Sequence, residues 1–122
     1  MELKELLVRL PEGSIADERY ADATAEVYNL SFLTPHSVGL RPDVLYFGDE
    51  TLIPSNLSSD QLVNLVMFGC EGIPRHLEGH KASNVIVLSH EADPFACYNA
   101  LQNYFIEDIE VTNIVRRMLS AH

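Results

Sequence analysis

The 122-residue sequence is poor in basic residues and cysteine, and it contains no tryptophan. Its 8 Lys and Arg stand against 18 Asp and Glu, which gives a formal net charge of −10. Because binding to a phosphate backbone depends on clustered basic side chains, we expect no direct contact with nucleic acid. The cysteines, Cys70 and Cys97, are too few and too far apart to indicate a disulfide framework or a CxxC motif. We expect both thiols to be reduced and partly buried.

Long apolar runs are also missing. No stretch reaches the roughly 20 apolar residues of a membrane span, and the N-terminus lacks the cationic and apolar regions of a signal peptide. We therefore expect a cytoplasmic protein that makes no membrane contact. Hydrophobic residues form 47% of the chain, which at this length predicts one folded domain over residues 1–122.

A weak repeat predicts the centre of this domain. Residues 44–47, 65–68 and 85–88 are runs of four apolar residues, each followed by Gly or Ser, a variable residue and Glu. Such runs cannot alternate between core and solvent, so they predict parallel strands covered on both faces. The connections have crossover length but carry Pro54 and Pro74, so they predict short helical turns rather than long helices.

The segments before the repeat carry weaker signals. The spacing of four leucines predicts an amphipathic N-terminal helix over residues 2–10, ended by Pro11 and Gly13. Residues 14–23 are polar and predict a surface loop or a turn of helix. Residues 24–33 alternate between apolar and polar side chains, which predicts a strand with a bulge near Asn29.

After the last strand, the pattern changes to that of a helix. Asp93 is suited to cap it and Pro94 to occupy its first position. Residues 93–121 contain no Gly, and no Pro after Pro94, so a long C-terminal helical segment is predicted, with a kink at 107–110 where the apolar phase drifts. An apolar stripe should lie over the strand at 85–88; it comprises Phe95, Tyr98, Leu101 and Phe105. The predicted fold is a small α/β domain with a mainly parallel sheet and short crossovers.

Polar side chains follow the three repeat strands where each strand ends. Because ligands bind at the carboxyl ends of strands in open parallel sheets, these side chains are candidate ligand-binding residues. They would suit a cation or a polar metabolite that carries amino groups. The alternative is that these loops are polar because they are solvated. The candidates are Asp49, Glu50, Glu71, His90 and Glu91.

Two further patterns have residue types that could form chemical sites. His76 and His80 have the spacing of zinc ligands on a helix, but Gly79 weakens a helix there and no glutamate directly follows the first histidine. Cys70 could meet His90 at the neighbouring strand end, although acidic surroundings raise the pKa of a thiol and oppose its activation. We therefore predict no metal site, no cofactor and no catalytic residue.

Three stretches, at residues 40–49, 64–69 and 84–88, carry a resemblance to a known family. They read LRPDVLYFGD, NLVMFG and NVIVL, and a terminal helix is predicted after them. In this order they resemble the N-terminal domain of purine-catabolism (PucR-type) bacterial transcriptional regulators, from roughly residue 27 onward. The resemblance implies a non-catalytic sensory or regulatory domain, excised from a longer regulator, but it names no effector; a small molecule is the candidate partner. The family's helix-turn-helix is not found in this sequence.

Two other functions stay open. The acidic and histidine-bearing strand ends would also suit a small stand-alone enzyme or a metal-binding protein. The apolar residues near the C-terminus would suit a pure dimerisation module; they are Ile114, Val115, Met118 and Leu119. Because contiguous exposed apolar patches are unusual on monomers, we expect a homodimer in which the C-terminal helix contributes to the interface.

Overall fold

The computed structural model describes residues 1–37, 39–57 and 60–120, with the side chains of residues 106–115 and 120 left outside the description. In chain order these residues form α1 (Leu3–Leu7), β1 (Ile15–Arg19), β2 (Asn29–Phe32), β3 (Val44–Gly48), β4 (Val63–Met67), β5 (Ser83–Leu88) and α2 (Pro94–Ser120). Short 3₁₀ turns at Glu50–Leu52 and Arg75–Leu77 follow β3 and β4. This order agrees with the predicted α/β class.

The described strands form one sheet in the order β1-β5-β4-β3-β2. The pairs β2–β3, β3–β4 and β4–β5 are parallel, which confirms the predicted pairing of the three repeat strands. However, β1 lies antiparallel to β5, so the sheet is mixed and the prediction of a mainly parallel sheet is corrected. The prediction of a loop or helical turn over residues 14–23 is wrong for the same reason, since β1 occupies part of that segment.

The three repeat strands are buried along their whole length, as predicted. One face of the sheet packs against α1 and α2, and we call it the helix-covered face. Its core includes Leu6, Phe47, Ile86 and Leu101. The opposite face packs under the connections between parallel strands and includes Tyr46, Leu65, Leu77 and Val87. We call this second surface the loop-covered face.

The connections that cover the second face are compact. The 3₁₀ turns confirm the prediction of short helical turns, and Leu77 in the second turn is fully buried. At the end of β3 the chain passes so close to Leu33 that a Cβ on Gly48 would lie 2.7 Å from the leucine Cδ1. Glycine is therefore required at this position for the loop after β2 to close over the sheet.

Two groups of polar side chains hold the connections in place. At the amino ends of β4 and β5, the side-chain Nδ2 of the buried Asn84 donates to Asn64 Oδ1 over 2.8 Å and to the backbone carbonyl of Asp22 over 2.9 Å. Asn64 in turn donates to the carbonyl of Pro42 over 2.7 Å. On the loop-covered face, the Arg19 guanidinium donates to Leu77 O, His80 O and Ser83 Oγ at 2.8 to 3.0 Å.

The segments before β3 differ from their predictions in extent. The predicted helix over residues 2–10 shortens to α1, although Leu10 beyond it is still buried. The predicted strand over residues 24–33 shortens to β2, which pairs with β3 without a shift in register. The predicted bulge near Asn29 is therefore wrong, and a register shift occurs instead in β1 between Ile15 and Asp17.

The start of α2 agrees with its predicted cap. Asp93 Oδ1 accepts a hydrogen bond from the Phe95 amide over 2.9 Å. Of the predicted apolar stripe, Leu101 is fully buried, but Phe95 is 66% exposed and Cys97 is buried in its place. The inward face of the helix is thus rotated toward Cys97, and the assignment of Phe95 to the core is corrected.

The distal part of α2 is described less fully. The predicted kink at 107–110 and the side chains of Ile114 and Val115 lie outside the described side chains. Met118 and Leu119, in the last turn, are 63% and 71% exposed. Neither α1 nor α2, so far as the structure describes them, combines the length and the apolar character needed to cross a membrane.

Candidate functional site

The carboxyl ends of β3, β4 and β5 meet at one edge of the sheet because these strands are parallel. Asp49 and Glu50 follow β3 directly and are half-buried. Glu71 follows β4, and His90 and Glu91 follow β5; all three side chains are exposed. The predicted candidates therefore lie at the expected edge, but with different environments.

Asp49 has a local structural role. Its Oδ1 accepts hydrogen bonds from the amide of Thr51, over 2.8 Å, and from the hydroxyl of the same residue. This is an N-cap of the 3₁₀ turn Glu50–Leu52. The turn therefore fixes the orientation of this carboxylate.

Glu50 connects the two 3₁₀ turns. Its Oε1 lies 3.4 Å from His76 Nδ1, and the two side chains are 45% and 61% exposed. His76 thus faces Glu50 from within the turn Arg75–Leu77, whereas His80 lies beyond it and is buried. Among the residues the structure describes, no three His, Cys, Asp or Glu side chains come together in a way that could hold a metal ion.

Cys70 lies beside this acidic pair. Its Sγ is 3.5 Å from the carbonyl oxygen of Phe68. Burial raises the pKa of the Cys70 thiol most, a hydrogen bond donated by the backbone of Glu50 opposes it, and the nearby Glu50 and Asp49 charges raise the pKa further. The acidic neighbours thus act in the predicted direction, although burial is the larger cause, and the environment works against a nucleophilic thiolate.

Two pockets open beside the Asp49–Glu50 turn, and residues 53–55 line both of them. One has a volume of about 180 Å³ and includes His76 and His80. The other has a volume of about 550 Å³, and its polar lining consists of Thr34, Ser37, Thr51, Ser55 and Asn56. We call the larger one the hydroxyl pocket; its size is that of a small-molecule site.

The hydroxyl pocket was not predicted from the sequence. Its walls come from the loop after β2 and the turn after β3, which meet only because those strands are neighbours and parallel. The available signal was the run of Thr, Ser and Asn after each strand, which on its own also fits any solvated loop.

Glu91, the last of the predicted ligand-binding residues, lies in a different pocket. Glu91 lines a pocket of about 340 Å³ at the start of α2, together with Asp93, Ser89 and residues 11–14. The predicted set therefore divides: Asp49 and Glu50 lie with Cys70 and the hydroxyl pocket, while Glu91 faces the helix start. Glu71 and His90 are exposed on their loops.

Comparisons with protein-family models, with curated proteins and with solved structures found no match to this chain.

Proposed function

We propose that the chain is a non-catalytic sensory domain of a bacterial transcriptional regulator and that it binds a small polar effector in the hydroxyl pocket. The DNA-binding domain would belong to a longer parent protein, in the cytoplasm, and α2 would be the long helix that leads toward it. The observation that carries the proposal is the pocket of about 550 Å³ at the carboxyl edge, beside Asp49.

The chemistry of the edge favours binding over catalysis. The pocket lining offers neutral hydroxyl and amide groups, and Thr51 of this lining is hydrogen-bonded to the carboxylate of Asp49. Such a surface suits a metabolite with hydroxyl and amino groups. The Cys70 thiol beside these carboxylates has a raised pKa, which disfavours the attack that a cysteine enzyme requires.

We further propose that the domain works as a homodimer. Met118 and Leu119 are largely exposed in the last turn of α2, and apolar side chains of this size are usually covered by a partner. Regulators that read two DNA half-sites act as two-fold dimers, so self-association fits the proposed function.

Thermal shift and calorimetric titration with a panel of amino- and hydroxyl-bearing metabolites would test effector binding. We expect at least one compound to raise the melting temperature, and Asn56→Leu to abolish that shift. Glu12→Gln, in the pocket at the start of α2, is the matched control and should leave it unchanged. If no compound binds, or if Asn56→Leu has no effect, the pocket is not the sensory site. Stabilisation by Zn²⁺ alone would favour a metal-binding protein instead.

A further inference from the structure

The outer edge of β2 is open. In the described sheet β2 is the last strand and pairs with β3 alone. The Leu33 amide donates to the carbonyl of Phe47 over 2.8 Å. In a parallel strand the backbone N–H and C=O groups of successive residues point to opposite sides. Since the Leu33 amide points toward β3, the backbone groups of Leu30 and Phe32 point to the open side. The Leu30 amide donates there to the side chain of its neighbour Asn29, over 2.9 Å.

The side chains of this edge also carry no formal charge. Residues 27–40 contain no Asp, Glu, Lys or Arg, in a chain whose formal net charge is −10. The opposite edge strand, β1, carries Asp17 and Glu18 and a register shift, which are features that block pairing with another strand. Of the two edges, only β2 can therefore meet a copy of itself without bringing like charges together.

An exposed aromatic side chain lies beside the edge strand. Phe95 is 66% exposed. The Phe95 ring lies 5.9 Å from the ring of Phe32, which stacks on Tyr98 at 4.4 Å. An added strand would cover these rings, and burial of aromatic surface is a large favourable term in association.

We infer that β2 of one copy pairs antiparallel with β2 of a second copy, about a two-fold axis at Ser31. Leu30 of each copy would then exchange both of its backbone hydrogen bonds with Phe32 of the other, and the Leu30 amide would give up its bond to Asn29. Ser31 would face its counterpart at the non-hydrogen-bonded position, where the Cα atoms are about 4.5 Å apart and a small side chain fits. This inference deepens the proposed homodimer by naming its interface, and Phe95 brings α2 to the same surface.

A second copy is a better occupant than a foreign peptide. An edge without charged side chains cannot form ion pairs that would select a charged peptide. In a self-paired edge, each outward N–H and C=O meets a C=O or N–H of the same strand in the second copy. The two sheets would become one continuous sheet, and the open edge would be removed.

Cysteine cross-linking of the full chain tests the register of this pairing. Ser31→Cys should give a covalent dimer as the main species under mild oxidation, since about 4.5 Å between Cα atoms allows a disulfide. Ala16→Cys, on the exposed part of β1, is the control and should remain monomeric on a non-reducing gel. Equal cross-linking at both positions, or none at Ser31→Cys, would overturn the pairing.

Variants that introduce a charge test the same interface without covalent cross-linking. Sedimentation should show at least tenfold weaker dimerisation for Ser31→Lys and for Phe95→Glu, with circular dichroism confirming that each variant is folded. Because Phe95 is exposed, its variant keeps the test valid if Ser31→Lys does not fold. Val8→Glu, at another exposed apolar side chain, directly after α1, is the control and should dimerise normally.

The outcomes separate this inference from the proposed function. If Met118→Glu with Leu119→Glu dissociates the dimer while Phe95→Glu does not, the interface lies at the end of α2 and the β2 pairing is wrong. A monomeric wild-type chain at high concentration would reject the dimer altogether. Neither result would affect the effector titration, which measures the hydroxyl pocket.

Discussion

The two faces of the sheet are equally buried but are covered by different kinds of structure. Ile86 and Val87 are neighbours in β5 and point to opposite faces, and both are fully inaccessible. Over Ile86 lie side chains of α1 and α2, packed at helical spacing. Over Val87 lie the connections after β3 and β4, whose regular structure is limited to two 3₁₀ turns.

The difference shows two ways in which a chain can cover apolar surface. A helix satisfies its own backbone groups, so it needs only an apolar stripe to dock. An irregular connection must find other partners for its carbonyls, and here Arg19 supplies them for Leu77 and His80. The loop-covered face therefore depends on particular hydrogen bonds, and we expect it to open first.

The largest expected effect comes from a matched pair of core truncations. Leu101→Ala on the helix-covered face and Leu77→Ala on the loop-covered face both remove fully buried side chains. Each should lower the free energy of unfolding by about 2–5 kcal/mol. Leu101→Ala should be the costlier, because a 3₁₀ turn can move into the cavity more easily than a packed helix. Urea denaturation would measure both, and equal costs would contradict the distinction between the faces.

Loss of the Arg19 contacts should have the next largest effect. Arg19→Met keeps much of the side-chain length but leaves the carbonyls of Leu77 and His80 without this donor, which should cost about 1–3 kcal/mol. Hydrogen exchange should accelerate in residues 75–83 more than in α2. Arg41→Met, at an exposed ion pair with Asp43, is the control and should change stability by less than about 0.5 kcal/mol. Comparable losses in the two variants would show that the Arg19 bonds are replaced by water.

Thiol labelling compares the faces without changing their packing. Cys70 belongs to the loop-covered face and Cys97 to the helix-covered face, and both are buried. With Cys97→Ala and Cys70→Ala as single-thiol variants, we expect Cys70 to be alkylated several-fold faster, through local opening. Because the pKa of Cys70 is raised, its rate should keep increasing with pH beyond the range in which the thiols of the unfolded chain level off. Faster labelling of Cys97 would reverse our order of face stability.

The smallest expected effect concerns the ion pair between the two 3₁₀ turns. Glu50→Gln should lower stability by less than about 1 kcal/mol, and by less still in high salt, because Glu50 and His76 are both well exposed. Glu71→Gln, at another exposed edge carboxylate, is the matched control for denaturation. A clearly larger loss for Glu50→Gln would mean that the turns are held together mainly by this pair.

The sequence predicted the centre of the fold better than its margins. Unbroken apolar runs such as residues 85–88 are compatible with few environments, so burial on both faces and parallel pairing could be inferred from them. β1 was missed because its exposed middle residues, Ala16, Asp17 and Glu18, carry no apolar alternation. Phe95 was misplaced because helical spacing fixes which residues share a stripe but not exactly how that stripe is turned toward the sheet.

The candidate site shows the same limit. Asp49 and Glu50 could be placed at the carboxyl edge because they directly follow a predictable strand. The hydroxyl pocket and the Arg19 contacts could not be predicted, because they join segments that are distant in the chain. Arg19 and Leu77, for example, are 58 residues apart. Such contacts depend on the order of strands and on the path of each connection, which local patterns do not encode.

The hydrogen bond between Asn64 and Asn84 has a consequence for how the chain avoids misfolding. The three repeat strands carry nearly interchangeable apolar runs, and a slip by one residue would exchange the side chains of the two faces. In the native register Leu45, Asn64 and Asn84 stand side by side on β3, β4 and β5. A slip of β4 against β5, or the insertion of β3 between them, would leave an amide in an apolar layer without its partner, which is costly. The pair therefore specifies that β4 and β5, and not β3, are neighbours in this register when the sheet assembles.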